Sequence, residues 1–222
     1  MDLLILLAML IVPAIAQMLV MSNYGTYRNI ENKKGLSGFE VARKILDKNG
    51  LLDIYVVETK GNLTDHYDPK RKVVRLSREV YHGTSIASLS VAAHECGHAI
   101  QDKVGYTYMR FRSLIFPAVH FATGVSYFVI FLGLLAESME MLWLGICLVG
   151  TGLVFQLVTL PVELDASKRA KKEIEALGIA SEEEQIGVSK MLSAAASTYV
   201  AGVLTSALEI LRLVLLFGNR ED

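Results

Sequence analysis

The stretch AAHECGHAIQ, Ala92 to Gln101, holds two histidines four residues apart with a glutamate directly after the first. On a helix, side chains at i and i+4 leave the same face, so His94 and His98 can turn both imidazoles toward one point. Two imidazoles at that spacing suit a tetrahedral zinc, and the Glu95 carboxylate stands where it can act on a water at the metal. Gly97 and Ala99 are small enough for a second helix to come close to the metal. The competing reading of the same residues is a packed helix whose histidines only hydrogen-bond.

The elements that must position these groups are unusual in their apolarity. The 222-residue chain is 52% hydrophobic, with a mean hydropathy of +0.40, above what a soluble domain of similar charge content carries. The excess is concentrated in residues 2–21, 113–136, 141–162 and 199–217. Each reaches the roughly 20 residues needed to cross a bilayer core. The first lacks a basic flank and a small-residue cleavage site, so it reads as an uncleaved anchor. The last carries Glu209 and Arg212, which at i and i+3 suggest a helix-internal or interhelical pair.

Charge orients these spans. Residues 22–112 hold 15 Lys and Arg and residues 163–198 hold 5, whereas the connection ESME, Glu137 to Glu140, holds none. Basic segments stay cytoplasmic, so both larger polar segments belong on that side, with the amino terminus outside. The expected organisation is a transmembrane helix at 2–21, a soluble part with the histidine motif at 22–112, and transmembrane helices at 113–136 and 141–162. A soluble helical part at 163–198 and a last transmembrane helix at 199–217 complete it. Net charge is −1 and no aromatic-interleaved basic stripe exists, which excludes a nucleic-acid partner. Cys96 and Cys147 fall in different environments and do not suggest a disulfide.

Within 22–112, Val41, Ala42, Ile45 and Leu46 recur at helical spacing. IYVVE, LTDHY and KVVRL are strand-like runs divided by turn residues, so a small sheet precedes the motif. Thr84 or Ser85 can cap the motif helix.

A catalytic zinc takes a third protein ligand and keeps one position for water. The next acidic residues on the same side are Glu163 and Asp165, in PVELDASKRA. Glu163 shares a helix face with Ala166, Ala170, Ile174 and Leu177, while Asp165 points with Arg169 and Lys172. Glu163 is the first choice on this ground and Asp165 the second.

The segments GNLTDHYDP, VVRLS, AAHECGHAIQ, PVELDAS and STYVAG, in this order, resemble the neutral zinc metallopeptidase family of the YugP type, from bacterial membranes, and more distantly the HtpX-like membrane proteases. The resemblance covers nearly the whole chain. It implies an α+β, mainly helical fold: four transmembrane helices with a zincin-like (gluzincin) domain on the cytoplasmic side. It also implies His94 and His98 as zinc ligands, Glu95 as the catalytic residue, and the acidic position after the paired spans as third ligand. HtpX-like relatives carry an aspartate four residues after the ligand glutamate, where this chain has Ser167, which leaves Glu163 and Asp165 both open.

The function expected is zinc-assisted hydrolysis of peptide bonds in membrane or unfolded proteins, with Glu95 as general base toward a water whose pKa zinc lowers to about 7. Tyr199 and His66 are the candidates for a further oxyanion donor. A strand such as LTDHY or KVVRL can pair with an extended peptide. The expected site lies at the cytoplasmic face of a bacterial multipass membrane protein, with the bilayer and protein substrates as partners; oligomeric state is not legible. Two rivals are a non-catalytic zinc-binding scaffold or regulator and a site-2-like intramembrane protease.

Overall fold

Residues 2–218 are described in the computed structural model. In chain order the helices are α1 (Asp2–Tyr27), α2 (Gly38–Lys48), α3 (Arg78–His82), α4 (Ile86–Lys103), α5 (Thr107–Leu135), α6 (Met139–Ala176) and α7 (Glu182–Phe217). The strands β1 (Tyr55–Thr59), β2 (His66–Asp68) and β3 (Val73–Ser77) lie between α2 and α3. The chain is thus mainly helical with one small sheet. It forms two units, one from the described parts of Met1–Gln17, Thr107–Pro161 and Ser197–Asp222, the other from Met18–Tyr106 and Val162–Ala196.

The first unit contains the apolar stretches of α1, α5, α6 and α7, four helices long and apolar enough to cross a membrane. Their large apolar side chains stand outward: Leu10, Leu114 and Phe121 are 70%, 75% and 72% exposed. Helices apolar all round have the composition of membrane spans. Within the unit α5 and α6 meet through glycine, because a Cβ at Gly145 would lie 2.4 Å from Ile130 Cγ1 and 3.2 Å from Ser126 O. Small residues at such crossings let the backbones of apolar helices come close. Of the two pairings expected for Glu209 and Arg212, the interhelical one forms. Arg212 Nε donates to Asp2 Oδ1 at 2.8 Å and Glu209 accepts from the Tyr127 hydroxyl.

The second unit is an α+β assembly around one core. Ser37 caps α2 with a capping box: its Oγ accepts from Glu40 N, and Glu40 Oε2 accepts from Ser37 N at 2.8 Å. The helical spacing of Val41, Ala42, Ile45 and Leu46 buries all four completely, worth about 1.5–3 kcal/mol for each of the larger ones. Gly50, with φ at +65°, supplies the left-handed turn that ends the helix.

The sheet order is β1-β3-β2, with β1 parallel and β2 antiparallel to β3. The KVVRL strand is therefore central and paired on both sides. The LTDHY run contributes only its end, His66 and Tyr67, which with Asp68 form an edge strand. The Asp68 carboxylate closes the β2–β3 turn by accepting from Lys70 N and Arg71 N at 3.0 and 3.1 Å. Ser85, not Thr84, caps α4, its Oγ accepting from Ser88 N at 3.1 Å.

Candidate metal centre

Two elements of the second unit build the centre. One is α4, buried along most of its length. The other is the part of α6 from Val162 onward, where Val162, Ala166, Ala170 and Ile174 are fully buried. Gly97 makes the approach possible: a Cβ there would lie 2.4 Å from Ala166 O. The small residue between the two histidines thus admits the α6 backbone against α4.

At this crossing, His94 Nε2 stands 3.3 Å and His98 Nε2 3.4 Å from Glu163 Oε2. The rings of His94 and His98 are 4.8 Å apart and nearly perpendicular, at 85°. One donor atom from each of the three residues falls within 4.8 Å of the others, the one such grouping among the described residues. Glu163 is 3% exposed.

Each imidazole is held from behind. Gln101, fully buried, brings Oε1 to 3.0 Å from His98 Nδ1. Its Nε2 donates to Val162 O at 2.7 Å and to Asp165 Oδ2 at 2.9 Å. With both amide hydrogens so committed, Oε1 must accept, which puts a His98 proton on Nδ1 and leaves Nε2, facing Glu163, as the nitrogen that can exchange its proton for a metal. Ser167 Oγ lies 3.2 Å from His94 Nδ1 and can do the same for the second ring. The donor set and its outer partners therefore fit zinc, which takes neutral imidazole nitrogens and a carboxylate and prefers histidines braced at the other nitrogen.

Electrostatics agree with a carboxylate among nascent cations. Burial pushes the Glu163 carboxyl upward, but hydrogen bonds and charge from His94 and His98 outweigh it and hold the group well below the usual range. Burial pushes His98 down, and the Glu163 hydrogen bond with the charges of Glu95 and Glu163 overcomes it, so the imidazole is raised. The His98–Glu163 pair thus holds a proton where a cation belongs.

Glu95 is 8% exposed, next to His94 on α4. Asp65, whose carboxylate accepts from Ser77 N at 2.7 Å, is raised mainly by burial and also by the charge of Glu95. Asp165 is not among the three converging residues; it accepts from Arg169 Nε at 2.5 Å, an i,i+4 ion pair, and from Gln101. His66 sits exposed on β2 with Nδ1 2.8 Å from Thr64 O. Tyr199 belongs to the first unit. His66 is not one of the three grouped residues. Cys96 is fully buried, its thiol pushed up by burial and directed at Ala42 O, away from any ligand role. Cys147 is also free.

The sequence motif alone assigns Gln101 no role. Its signal is a polar residue three positions after His98, on the buried side of the same helix. Ser167 stands out in the sequence only as a departure from a pattern; its place one turn beyond Glu163 is the clue to its contact with His94.

A family model described as "Putative neutral zinc metallopeptidase" matches residues 2–218. The chain is also 49% identical over 207 residues to "Putative membrane protease YugP" of Bacillus subtilis (strain 168), a match covering 93% of this chain and 92% of that protein. No solved structure matches.

Proposed function

The chain belongs to this neutral zinc metallopeptidase family, and from that premise we propose that it is a membrane-embedded zinc endopeptidase of the gluzincin type. The observation that carries the reading is the meeting of His94 Nε2, His98 Nε2 and Glu163 Oε2 at one point. His94, His98 and Glu163 hold the zinc. Bound there, zinc supplies Lewis-acid activation of a water and of the scissile carbonyl.

The chain's own residues do the rest. The Glu95 carboxylate removes the proton from the attacking water and delivers it to the leaving amine nitrogen. Gln101 sets the Nδ1 proton of His98, Ser167 holds the His94 ring at its Nδ1, and the ion pair of Asp165 with Arg169 anchors the Gln101 amide in turn. Retention of Glu95 supports an enzyme over a scaffold, because holding a metal does not require it.

Substrate enters as an extended strand. β3 is paired on both sides, so the strand open to augmentation beside α4 is β2, which Tyr67 ties to the α4 end through a hydrogen bond to Asp102 Oδ2 at 2.9 Å. Only flexible segments can pair this way, so loops and tails of membrane proteins, or unfolded chains, are the substrates. The basic bias of the polar segments supports a cytoplasmic site in a bacterial membrane. The motif helix α4 is not among the four membrane-length helices, which weighs against chemistry inside the lipid.

The test is hydrolysis of an unfolded polypeptide by detergent-purified protein carrying zinc. Wild type should cleave it, and Glu95→Gln, with the same zinc content, should not. Equal cleavage by the two, or none by either at full zinc, would overturn the reading.

A further inference from the structure

The first unit contains a polar cleft that the zinc chemistry does not use. Three apolar helices, α5, α6 and α7, enclose a cavity of about 310 Å³ whose lining includes His120, Tyr127, Gln156, Ser206 and Glu209. These residues come from the middle of the apolar stretches, where a bilayer has no water to offer. Ionisable groups at that depth are expensive and belong to a binding or transfer site unless paired inside the bundle.

The cleft is not closed by the bundle. On α5, Phe116, His120, Gly124, Tyr127 and Phe131 follow one another at helical spacing on one face. Phe116, Tyr127 and Phe131 are 52%, 55% and 53% exposed, and His120, stacked on Phe116 at 5.7 Å, is exposed with them. Gly124, in the middle of this face, has nothing within 4 Å of where its Cβ would be. An exposed strip with an open glycine at its centre, beside a carboxylate and an amide, offers polar groups that lipid tails cannot satisfy. It fits a second helix, whose backbone can approach at Gly124 while one side chain enters the cleft.

We propose that this cleft receives a transmembrane helix of another protein, one with a hydrogen-bond-donating side chain at its centre. Glu209 accepts the Tyr127 hydroxyl and, as a carboxylate, has capacity for a further donor. That complementarity selects an amide or basic residue on the incoming helix over an aliphatic one. The site does not depend on proteolysis and can be tested without it.

The experiment uses the full chain carrying Glu95→Gln, so that cleavage plays no part, labelled in lipid vesicles with two synthetic leucine-rich transmembrane peptides identical except for a central Asn or Leu. Energy transfer reads their binding. The Asn peptide should bind about threefold or more tightly than the Leu peptide. Glu209→Leu should abolish that preference. Gly124→Leu, at a position with open space around it, should weaken both peptides while thermal stability stays unchanged. Equal binding of the two peptides, or a preference that survives Glu209→Leu, would overturn the proposal. Exclusion of both peptides by self-association that Gly124→Leu releases would also overturn it, assigning the cleft to a second copy of this chain.

Discussion

Gln101 Oε1 lies 3.0 Å from His98 Nδ1 while the Gln101 amide nitrogen is held by Val162 O and the Asp165 carboxylate. One buried side chain thereby joins the motif helix to the helix that carries Glu163 and sets which nitrogen of His98 bears the proton. Replacing it with alanine should lower zinc affinity by about 10- to 100-fold. Competition with a chromophoric chelator measures this, and Ser167→Ala, which removes a single longer contact at 3.2 Å, should cost less.

Removing a ligand has a larger effect than removing its brace. His94→Ala, His98→Ala and Glu163→Ala should each lose the metal from purified protein, whereas Asp165→Ala should keep it with reduced affinity. Elemental analysis decides between them: metal lost from Asp165→Ala and retained by Glu163→Ala would exchange the two carboxylates.

Glu95→Gln is nearly isosteric and should leave zinc content and thermal stability unchanged. Loss of its proton transfer should lower turnover by about 10²- to 10⁴-fold. A peptide-release assay at matched zinc content checks it.

The site should also couple metal binding to pH. His98 is raised above its ordinary 6.5, so its pairing with Glu163 stabilises the metal-free protein below that pH and the contribution fades as pH rises through the raised value. Glu163 is lowered from its ordinary 4.5, so its share is present above that pH and is lost as pH falls toward the lowered value. Zinc must displace the imidazole proton. The rise in melting temperature on adding zinc should therefore be greater at pH 8 than at pH 6. Equal rises would contradict a proton-for-metal exchange at His98.

Gly97 carries the approach of the two helices. Any side chain there meets Ala166 O at 2.4 Å, a backbone atom that cannot turn aside. Gly97→Val should cost about 1–3 kcal/mol by overpacking and weaken zinc binding in parallel. Denaturant unfolding and metal titration of the same preparations test both effects together.

Much of this protein is written in local pattern. Apolar runs long enough to cross a bilayer, the i,i+4 histidines and the inward face of Glu163 with Ala166, Ala170 and Ile174 depend only on helical periodicity, and the sequence carries that period directly. Strand pairing does not follow from it: KVVRL and LTDHY look alike as isolated runs, and which becomes central depends on partners distant in sequence. The same holds for polar partners. Arg212 has Glu209 within one turn yet bonds Asp2, because helix packing within the first unit brings distant side chains together and local spacing cannot anticipate them. Sequence alone thus determined the helices and the types of atom that could bind a metal. Only tertiary structure decided that Gln101 and Ser167 stand behind the imidazoles, and that a polar cleft opens among apolar helices, since both arise where residues far apart in the chain meet within one unit.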